Sequence, residues 1–369
     1  MKFITAFTNE LLLNMYNNFE DNFDTYRFTK QNHSVKENFI RKQVKEYLNK
    51  KNYFKVDKKN DSIISTIQSL DPYFEGLEYL YNILNSEASK ALLTKIIAYR
   101  ILGFQKVKLP VNNSNYWNYL ISIDNLAQKN DFVKINFLNW NLYKYNLESI
   151  GFPIQLYYNT MGILIDFVIK QYEYSEGSFL IKAEENDVVI DAGGCWGDTA
   201  LYFANEVGSK GHVYTIEFIP SNIELLYKNL QLNPSLEKRI TVVPNPLWST
   251  SNEQIYYIDN GPGSRVDFNS LGENNETTQT ITIDEIVQKN KITKVDYIKM
   301  DIEGVELSAL YGAKDTICKF KPKLAIAIYH SLDDFFSIPN YLESLNLGYK
   351  FYLGHYTIHA EETVLFAIV

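Results

Sequence analysis

The sequence has 369 residues, of which 46% are hydrophobic and 22% are charged, so it is long enough for about two domains and apolar enough for packed cores. Its 44 acidic residues outnumber its 36 basic ones, and the net charge of −8 leaves no basic surplus to meet phosphates. We therefore expect a globular protein that does not bind nucleic acid.

The N-terminal part, residues 1–148, is mainly helical by pattern and is predicted to form a domain of its own. In the segment 85–103, Ser86 is a suitable N-cap, apolar residues recur at helical spacing, and Gly103 can end the helix. This domain is expected to shape an acceptor site or to mediate a homodimer. Similar periodicity predicts further helices over residues 37–50 and 62–70.

From residue 149 to residue 369 the pattern changes to short apolar strands that alternate with helices, which predicts a parallel sheet covered on both faces. The predicted strands are DVVID, HVYTIE, ITVVP, VDYIKM and KLAIAIY. The predicted helices are TALYFANEVG, closed by Gly208, SNIELLYKNLQL, opened by Ser221, EGVELSALYGAKDTI and LDDFFSIPNYLESL.

Two features complete this α/β prediction. The last two strands, YKFYLGHY and TVLFAIV, have no helix between them and predict an antiparallel hairpin at one edge of the sheet. The segment from Pro246 to Ser270 predicts an inserted hairpin between the third and fourth strands. The expected fold is a Rossmann-like doubly wound sheet with an antiparallel edge hairpin, preceded by the helical domain.

The two cysteines, Cys195 and Cys318, show neither a disulfide framework nor a metal-binding spacing, which fits a reducing compartment. The first 16 residues contain one lysine and an interrupted apolar run, so they match a signal peptide poorly. The most apolar stretch, residues 161–169, is shorter than the ~20 residues of a membrane helix and contains Asp166. We expect a soluble cytoplasmic protein without an integral membrane segment.

Polar residues follow the predicted strands, where open α/β sheets bind their ligands. The glycine turn after the first strand lacks the second glycine of a dinucleotide fingerprint, because Cys195 stands there, and Asp198 stands where a P-loop needs lysine. Glu217 ends the next strand, where a ribose-binding acid belongs. A nucleoside without a pyrophosphate is therefore predicted. S-adenosylmethionine fits, because Asp191, Asp198 and Asp301 suit its positive groups and turn N–H groups suit its carboxylate.

Several segments carry a resemblance to one family: VVIDAGGCWGDTALYFA, VYTIEFIPSN, ITIDEIV, KVDYIKMDIEGVELSALYGA and YLGHYTIHAEETVLFA. Together they resemble the FkbM family of S-adenosylmethionine-dependent O-methyltransferases over residues 151–369. The resemblance implies a methyltransferase fold, S-adenosylhomocysteine as a product, and methyl transfer to a hydroxyl of a sugar or glycoconjugate, such as a bacterial surface polysaccharide. The cofactor site that it implies consists of Asp191, Gly193, Gly194, Cys195, Gly197, Asp198, Thr199, Glu217, Phe218, Asn222, Asn245 and Asp301.

In the implied reaction, a hydroxyl attacks the sulfonium methyl group, helped by alignment and by a base. His330 and Asp301 are the predicted bases, since both follow strands that should flank the methyl group, and His355 in the closing hairpin is the third candidate. Asp301 and His330 could instead cap the helices that follow them. Asp301, Glu303 and His330 could also hold a metal ion, but nothing in their spacing demands one, so a metal is left open.

Other residues have a functional and a structural interpretation. The turn GPGS, residues 261–264, is either a plain hairpin turn or part of the site. Three residues before the first strand either cover the cofactor or pack in the core: Gln171, Tyr172 and Tyr174. Three histidines are expected to be structural: His33, His212 and His359.

Two alternative functions stay open on the sequence. An NAD-dependent enzyme could use the same sheet, although the missing second glycine argues against it. A non-catalytic interaction protein could retain a decayed nucleotide pocket, although the three strand-end acids Asp191, Glu217 and Asp301 argue against decay.

Overall fold

The computed structural model describes residues 2–17, 19, 70–268 and 276–369. The predicted helix over 37–50, the predicted helix over 62–70 apart from its last residue, and His33 lie outside the described residues. In the part of the chain that the structure describes, no helix is both long and apolar enough to cross a membrane.

Four helices precede the first strand of the described chain. The third begins after Ser86, whose side chain accepts a hydrogen bond from the Ser89 backbone N–H at 3.0 Å, and it ends at Gly103, where φ is 80°. Both capping predictions are confirmed. The helices are α1 (Lys2–Asn14), α2 (Asp71–Ile83), α3 (Glu87–Leu102) and α4 (Ser114–Asp124).

The chain after α4 is not helical, which corrects the helical prediction for the end of the N-terminal region. Three antiparallel strands follow, β1 (Gln128–Lys134), β2 (Asn141–Asn146) and β3 (Gln155–Tyr158), and their sheet spans the predicted boundary at residue 148. Aromatic and β-branched residues are frequent in this segment and favour strands over helices. The division into two domains stays a prediction.

A seven-stranded sheet forms the centre of the molecule, with the order β14-β15-β13-β12-β6-β7-β8. The five strands from β13 to β8 run parallel, and β15 pairs antiparallel with both β13 and β14, so the predicted edge hairpin is confirmed. The strands are β6 (Val188–Ala192), β7 (His212–Ile216), β8 (Ile240–Val243), β12 (Tyr297–Met300), β13 (Lys323–Ala327), β14 (Lys350–His355) and β15 (Thr363–Ile368).

Helices connect these strands, with two departures from the prediction. The helix predicted to open at Ser221 begins one residue earlier, because proline suits the first helical position and the Ser221 hydroxyl donates to Asp259 instead of capping. The single helix predicted over 303–317 is two helices, because the chain packs at Gly312, where a Cβ would lie 2.2 Å from the Trp248 carbonyl oxygen. The helices are α6 (Asp198–Glu206), α7 (Pro220–Gln231), α8 (Pro234–Glu237), α9 (Ile283–Lys289), α10 (Glu306–Tyr311), α11 (Lys314–Phe320) and α12 (Asp334–Ser344).

Smaller elements surround the sheet. The predicted inserted hairpin is confirmed as β9 (Gln254–Ile258) with β10 (Arg265–Asp267), and β11 (Glu276–Gln279) pairs on the other side of β9. The chain before β6 forms α5 (Thr160–Ile163), which continues as a wide π-helical turn over Leu164–Ile169, and the short hairpin β4 (Tyr174–Glu176) with β5 (Phe179–Ile181).

The helices α1, α2 and α3 share one hydrophobic core with a face of the central sheet rather than forming a core of their own. The backbone N–H of Asn85 donates to the Phe351 carbonyl at 2.8 Å, and the Leu353 N–H donates to the Ser89 hydroxyl at 2.9 Å. These contacts join the N-terminal helices to the edge strand β14. The predicted structural histidine His212 pairs with Thr241 across β7 and β8, at 2.8 Å.

Candidate active site

A cavity of about 1070 Å³ lies beyond the carboxyl ends of the parallel strands. The ends of β6, β7, β12 and β13 form its floor, and the turn between β1 and β2 and the turn at 261–264 lie along its rim. The GPGS turn is therefore part of the cavity, as one of its two interpretations predicted. The sequence-predicted residues that line it are Gln171, Tyr172, Gly193, Cys195, Asp198, Thr199, Glu217, Phe218, Asn222, Asp301, Glu303 and His330.

Some predicted site residues do not line the cavity. Tyr174 packs against Tyr352 and Phe366, and Asn245 donates its side-chain amide to the Gln279 carbonyl at 3.0 Å. The neighbours of Asn245 in sequence, Pro246 and Leu247, line the cavity in its place. The remaining residues outside the lining are Asp191, Gly194, Gly197 and His355.

Asp191 lies beneath the glycine turn and is completely buried. Its carboxylate accepts hydrogen bonds from Thr199 at 3.0 Å and Thr215 at 2.8 Å, and Lys299 Nζ lies 3.3 Å away. Lys299 also donates to the carbonyl of Gly193 at 2.7 Å. Asp191 thus holds the turn from beneath and does not itself line the cavity.

The glycine turn approaches its neighbours too closely for side chains. At Gly193, φ is 88° and a Cβ would lie 1.9 Å from the Asp301 carbonyl oxygen, so the ends of β6 and β12 meet there. At Gly194, a Cβ would lie 2.0 Å from the Thr215 hydroxyl that bonds Asp191. Burial raises the pKa of the Cys195 thiol well above its usual range, so this side chain lines the cavity as a neutral thiol.

Glu217 is held firmly at the end of β7. One carboxylate oxygen accepts the backbone N–H groups of Phe218 at 2.7 Å and Ile219 at 2.8 Å, and the other accepts from Asn222 at 3.2 Å. Asn222 is itself fixed by the Trp196 indole N–H at 3.0 Å. Burial raises the pKa of Glu217 to about 7, against the lowering effect of these hydrogen bonds. A ribose hydroxyl could use the remaining acceptor capacity of this carboxylate.

Asp301 stands at the end of β12 among three donors. The hydroxyl of Tyr329 lies 3.1 and 3.2 Å from the two carboxylate oxygens and can donate to either, the hydroxyl of Tyr172 lies 3.2 Å away, and His330 Nε2 lies 3.5 Å away. Tyr172 thus lines the cavity, as one of its two interpretations predicted. The hydroxyls of Tyr172 and Tyr329 thus orient the Asp301 carboxylate without a ligand.

His330 sits among carboxylates. Its Nδ1 lies 3.2 Å from Glu306, and its Nε2 lies 3.5 Å from Asp301 and 3.8 Å from Glu303. Burial lowers the pKa of His330, but these carboxylates outweigh burial and raise it to about 10. An imidazolium cannot accept a proton, so this charge state conflicts with the predicted role of His330 as the base.

The third predicted base, His355, lies outside the cavity. It is buried in β14, and its Nδ1 pairs with the Thr363 hydroxyl at 2.8 Å. Burial lowers its pKa to about 4. The sequence named His355 in the closing hairpin as the third candidate base, and its side chain does not line the cavity.

Asp301, Glu306 and His330 each offer one potential metal-ligand atom, and these atoms lie within 4.8 Å of one another. Carboxylate and imidazole ligands suit several divalent ions. Glu306 already accepts the backbone N–H of Ile302 at 2.8 Å, and the histidine cation balances part of the carboxylate charge. The same contacts also form an ion-pair network without a metal ion.

The sequence prediction missed several residues of the site. Lys299 carried a signal, since a lysine in the middle of an apolar strand needs a buried partner. Tyr329 directly precedes the predicted site residue His330, but nothing in the sequence indicates that the Tyr329 hydroxyl is a partner of Asp301. Further residues that the sequence prediction missed include Tyr158, Asp166 and Glu306.

The free energy of unfolding is expected to fall as the pH rises from about 6.5 to about 10. In this window the folded protein holds the His330 proton and the unfolded chain does not, so the stabilisation is complete below 6.5 and is lost as the pH passes through the folded pKa. One such proton contributes about 1.4 kcal/mol per pH unit. Urea unfolding at several pH values, compared with His330→Gln, measures this slope. An equal slope in the variant would show that His330 is not a cation.

Known proteins match the same region of the chain. The family model of the methyltransferase FkbM domain matches residues 183–351. A hexuronic acid methyltransferase, AglP of Haloferax volcanii, is 27% identical over 139 residues, which cover 37% of this chain and 54% of that protein. The chain thus spans about half the length of this curated relative.

A solved structure has the same architecture. The crystal structure of Methyltransferase FkbM from Methylobacillus flagellatus KT is 19% identical and superposes with a TM-score of 0.51. The match covers 81% of this chain and 60% of that chain. The predicted α/β fold is therefore confirmed.

Proposed function

We propose, from the match of residues 183–351 to the methyltransferase FkbM domain, that the protein moves the methyl group of S-adenosylmethionine to a hydroxyl of a sugar or glycoconjugate. One observation supports this most directly. Glu217 and Asp301 line one cavity from strand ends on either side of the glycine turn. In this arrangement Glu217 can hold the ribose of a nucleoside while the reactive group of the nucleoside lies near Asp301.

The residues present fit the cofactor. The carboxylate of Glu217 is positioned to accept the ribose hydroxyls, and the apolar side chains of Phe218, Pro246 and Leu247 can cover the adenine. At Gly193 the turn lies too close to Asp301 for a side chain, so no side chain stands between the ends of β6 and β12. When bound, S-adenosylmethionine supplies a methyl group on a positively charged sulfur.

The chain's own residues then act on the acceptor. We assign the role of base to Asp301, because it is a carboxylic acid that lines the cavity, whereas neighbouring carboxylates raise the pKa of His330 and His355 lies outside the cavity. Tyr172 and Tyr329 orient the Asp301 carboxylate. Alignment of the acceptor oxygen with the methyl group contributes the remaining rate acceleration. Activity after thorough chelation tests whether a divalent ion at the Asp301 cluster takes part.

A sugar acceptor has two supports. The relative from Haloferax volcanii is a hexuronic acid methyltransferase, and aromatic rings suited to packing against a sugar line the cavity on β2 and on the turn before it. Among the described lining residues, the only cations are Lys299 and His330, and carboxylates of the chain pair with both. We therefore expect a neutral or amino sugar in preference to a hexuronic acid. The aromatic residues are Phe137, Trp140 and Tyr143.

The decisive experiment is mass spectrometry of sugar nucleotides and glycans after incubation with isotopically labelled S-adenosylmethionine. Transfer of the label to a hydroxyl is the expected result. Calorimetry can contradict the proposed function in two ways. Binding of NADH without binding of S-adenosylhomocysteine would favour the NAD-dependent alternative. Binding of neither would favour the non-catalytic interaction protein.

Substitution of Glu217 tests the ribose site. Glu217→Ala is expected to weaken S-adenosylhomocysteine binding by about 1–3 kcal/mol, because the ribose hydroxyls lose a charged partner. Calorimetric dissociation constants measure the effect. Glu206→Ala is the control, since Glu206 pairs with Lys182 outside the cavity. An unchanged affinity in Glu217→Ala would refute the ribose role.

A further inference from the structure

An arginine of the N-terminal helix α3 binds two segments of the cavity wall. Arg100 lies in the last turn of α3, and its Nη2 donates to the Tyr329 carbonyl at 2.9 Å and to the Ala360 carbonyl at 3.1 Å. Tyr329 follows β13, and Ala360 lies between β14 and β15. Arg100 itself does not line the cavity, so one side chain joins the two segments from outside it.

Both carbonyls belong to peptide groups that carry cavity-lining residues. The Tyr329 carbonyl is part of the peptide group that joins Tyr329 to His330, and both of these side chains line the cavity. The Ala360 carbonyl is part of the peptide group that precedes Glu361, which also lines the cavity. A peptide group is planar, so a hydrogen bond to its oxygen also fixes the start of the following residue. The positions of these lining residues therefore depend on Arg100.

The two carbonyls lie outside the strands of the central sheet. Strand β13 ends at Ala327, and the N–H of Ile328 still donates to the Thr363 carbonyl of β15 at 3.0 Å. Tyr329 and Ala360 lie beyond these pairs. A backbone carbonyl away from a strand ladder needs another donor, and here a charged side chain provides it.

The guanidinium of Arg100 occupies a position that is unfavourable for a charge. Burial lowers the pKa of Arg100, against the opposing effect of the Glu361 and Asp334 carboxylates. Its Nε is buried and has no hydrogen-bond partner in the part of the chain that the structure describes. The Phe335 ring faces the guanidinium, with 5.3 Å from Cζ to the ring centroid. Burying a charge is unfavourable unless hydrogen bonds compensate it, and the bonds that do so here hold the cavity wall.

One of the two bound peptide groups determines the surroundings of Asp301, the proposed base. The Tyr329 hydroxyl lies 3.1 Å from Asp301 Oδ1, and His330 Nε2 lies 3.5 Å from the same oxygen. Both residues share the peptide group whose oxygen Arg100 binds. A shift of this group would move the hydroxyl and the imidazole together, and hydrogen bonds weaken steeply as their geometry is lost.

We propose that Arg100 is a positioning residue of the active site, which fixes the Tyr329–His330 peptide group and thereby holds the Tyr329 hydroxyl against Asp301. This assignment rests on the proposed methyltransferase function. It also gives the N-terminal helices a part in the reaction, because Arg100 lies outside residues 183–351, which match the methyltransferase FkbM domain. The matched region by itself lacks a residue that holds its proposed base in position.

Titration of the histidines by NMR tests this role without an acceptor. The chain has five histidines, so isotope-labelled histidine gives a spectrum with few signals. In Arg100→Met the pKa of His330 is expected to fall from about 10 toward 6.5, because the imidazole moves away from the carboxylates around it. Loss of the Arg100 charge alone would have the opposite effect, since a nearby cation lowers the pKa of a histidine. The sign of the change therefore separates positioning from electrostatics.

Two variants and a second histidine are the controls. Arg239→Met is matched, because Arg239 also donates to a backbone carbonyl, that of Ala204 at 2.8 Å, and does not line the cavity. It should leave the pKa of His330 at about 10. Arg100→Lys keeps a charged donor and should restore most of the His330 pKa. Burial and the Arg100 charge both lower the pKa of His355, so in Arg100→Met this pKa should rise.

Kinetics with the acceptor found by labelled S-adenosylmethionine test the link to the reaction. Arg100→Met is expected to lower turnover by a factor on the order of 10, as coupling within one hydrogen-bonded network allows, with little change in S-adenosylhomocysteine affinity. The double variant with Tyr329→Phe should be hardly slower than the slower single variant, because both changes remove the same contact of Asp301. The losses from two independent defects would instead multiply.

Three results would overturn the assignment. A His330 pKa that stays at about 10 or rises in Arg100→Met would show that Arg100 does not hold this peptide group. Losses of turnover that multiply in the double variant would show that Arg100 does not act through Tyr329. Equal losses of cofactor affinity and turnover would indicate a general defect of the fold. If the unmodified protein bound no S-adenosylhomocysteine, the proposed function would fail, while the histidine titration would still decide whether Arg100 positions His330.

Discussion

Replacement of Asp301 by asparagine is expected to lower turnover by a factor of about 10² to 10⁴, the usual contribution of a positioned base. The amide keeps the shape of the side chain but cannot take the acceptor's proton. Affinity for S-adenosylhomocysteine should change much less than turnover. Rates with an identified acceptor and calorimetric dissociation constants separate the two effects. Tyr329→Phe, which removes one hydroxyl that orients Asp301, should cause a smaller loss.

Near-normal turnover in Asp301→Asn would show that Asp301 is not the base. The profile of turnover against pH gives a second criterion. If His330 were the base, activity would rise as its proton leaves, which at a pKa of about 10 requires alkaline conditions. His330→Ala is expected to lower turnover more than cofactor affinity, because it removes the cation beside Asp301 while leaving the ribose site untouched.

Replacement of Lys299 by methionine is expected to destabilise the fold by about 3–5 kcal/mol, the cost of leaving one partner of a buried ion pair alone. Only 1% of the surface of Lys299 is exposed, and Asp191 is completely buried. Burial lowers the pKa of Lys299, but Asp191 and the other nearby carboxylates outweigh burial and raise it, so the ammonium stays charged. Urea unfolding measures the loss.

The double variant Asp191→Asn with Lys299→Met should recover part of that stability, because no uncompensated buried charge is left. Lys294→Met is the matched control. Lys294 pairs with Asp296 at 2.8 Å in the partly exposed segment just before the same strand, and its loss should cost at most about 1 kcal/mol. A double variant no more stable than Lys299→Met alone would contradict the pairing of Asp191 with Lys299.

Much of the fold follows from local pattern. The strands β6, β7, β8, β12 and β13 are short apolar runs at regular spacing, and the absence of a helix between the last two runs predicts the edge hairpin. Parallel strands then bring their carboxyl ends to one side, so residues as distant in sequence as Glu217, Asp301 and His330 are predicted to line one cavity.

Local pattern does not determine which way a side chain points or what neutralises it. Asp191 and Asp301 both stand at strand ends, yet Lys299 and two threonines hold the first beneath the turn, while the second reaches the cavity. His330 and His355 have the same chemistry in sequence. Three carboxylates surround the first and raise its pKa, whereas burial lowers that of the second.

By itself, the sequence determined most of the strand and helix order, the edge hairpin and the side of the sheet on which the cavity lies, because periodicity, glycine turns and parallel crossovers are properties of neighbouring residues. Only the tertiary structure decided the charge of His330, the partner of Asp191, and the meeting of Asp166 with Asp198 at Tyr158. These features depend on burial and on contacts between residues far apart in the chain, where Coulomb and desolvation energies depend on distances that no local pattern contains.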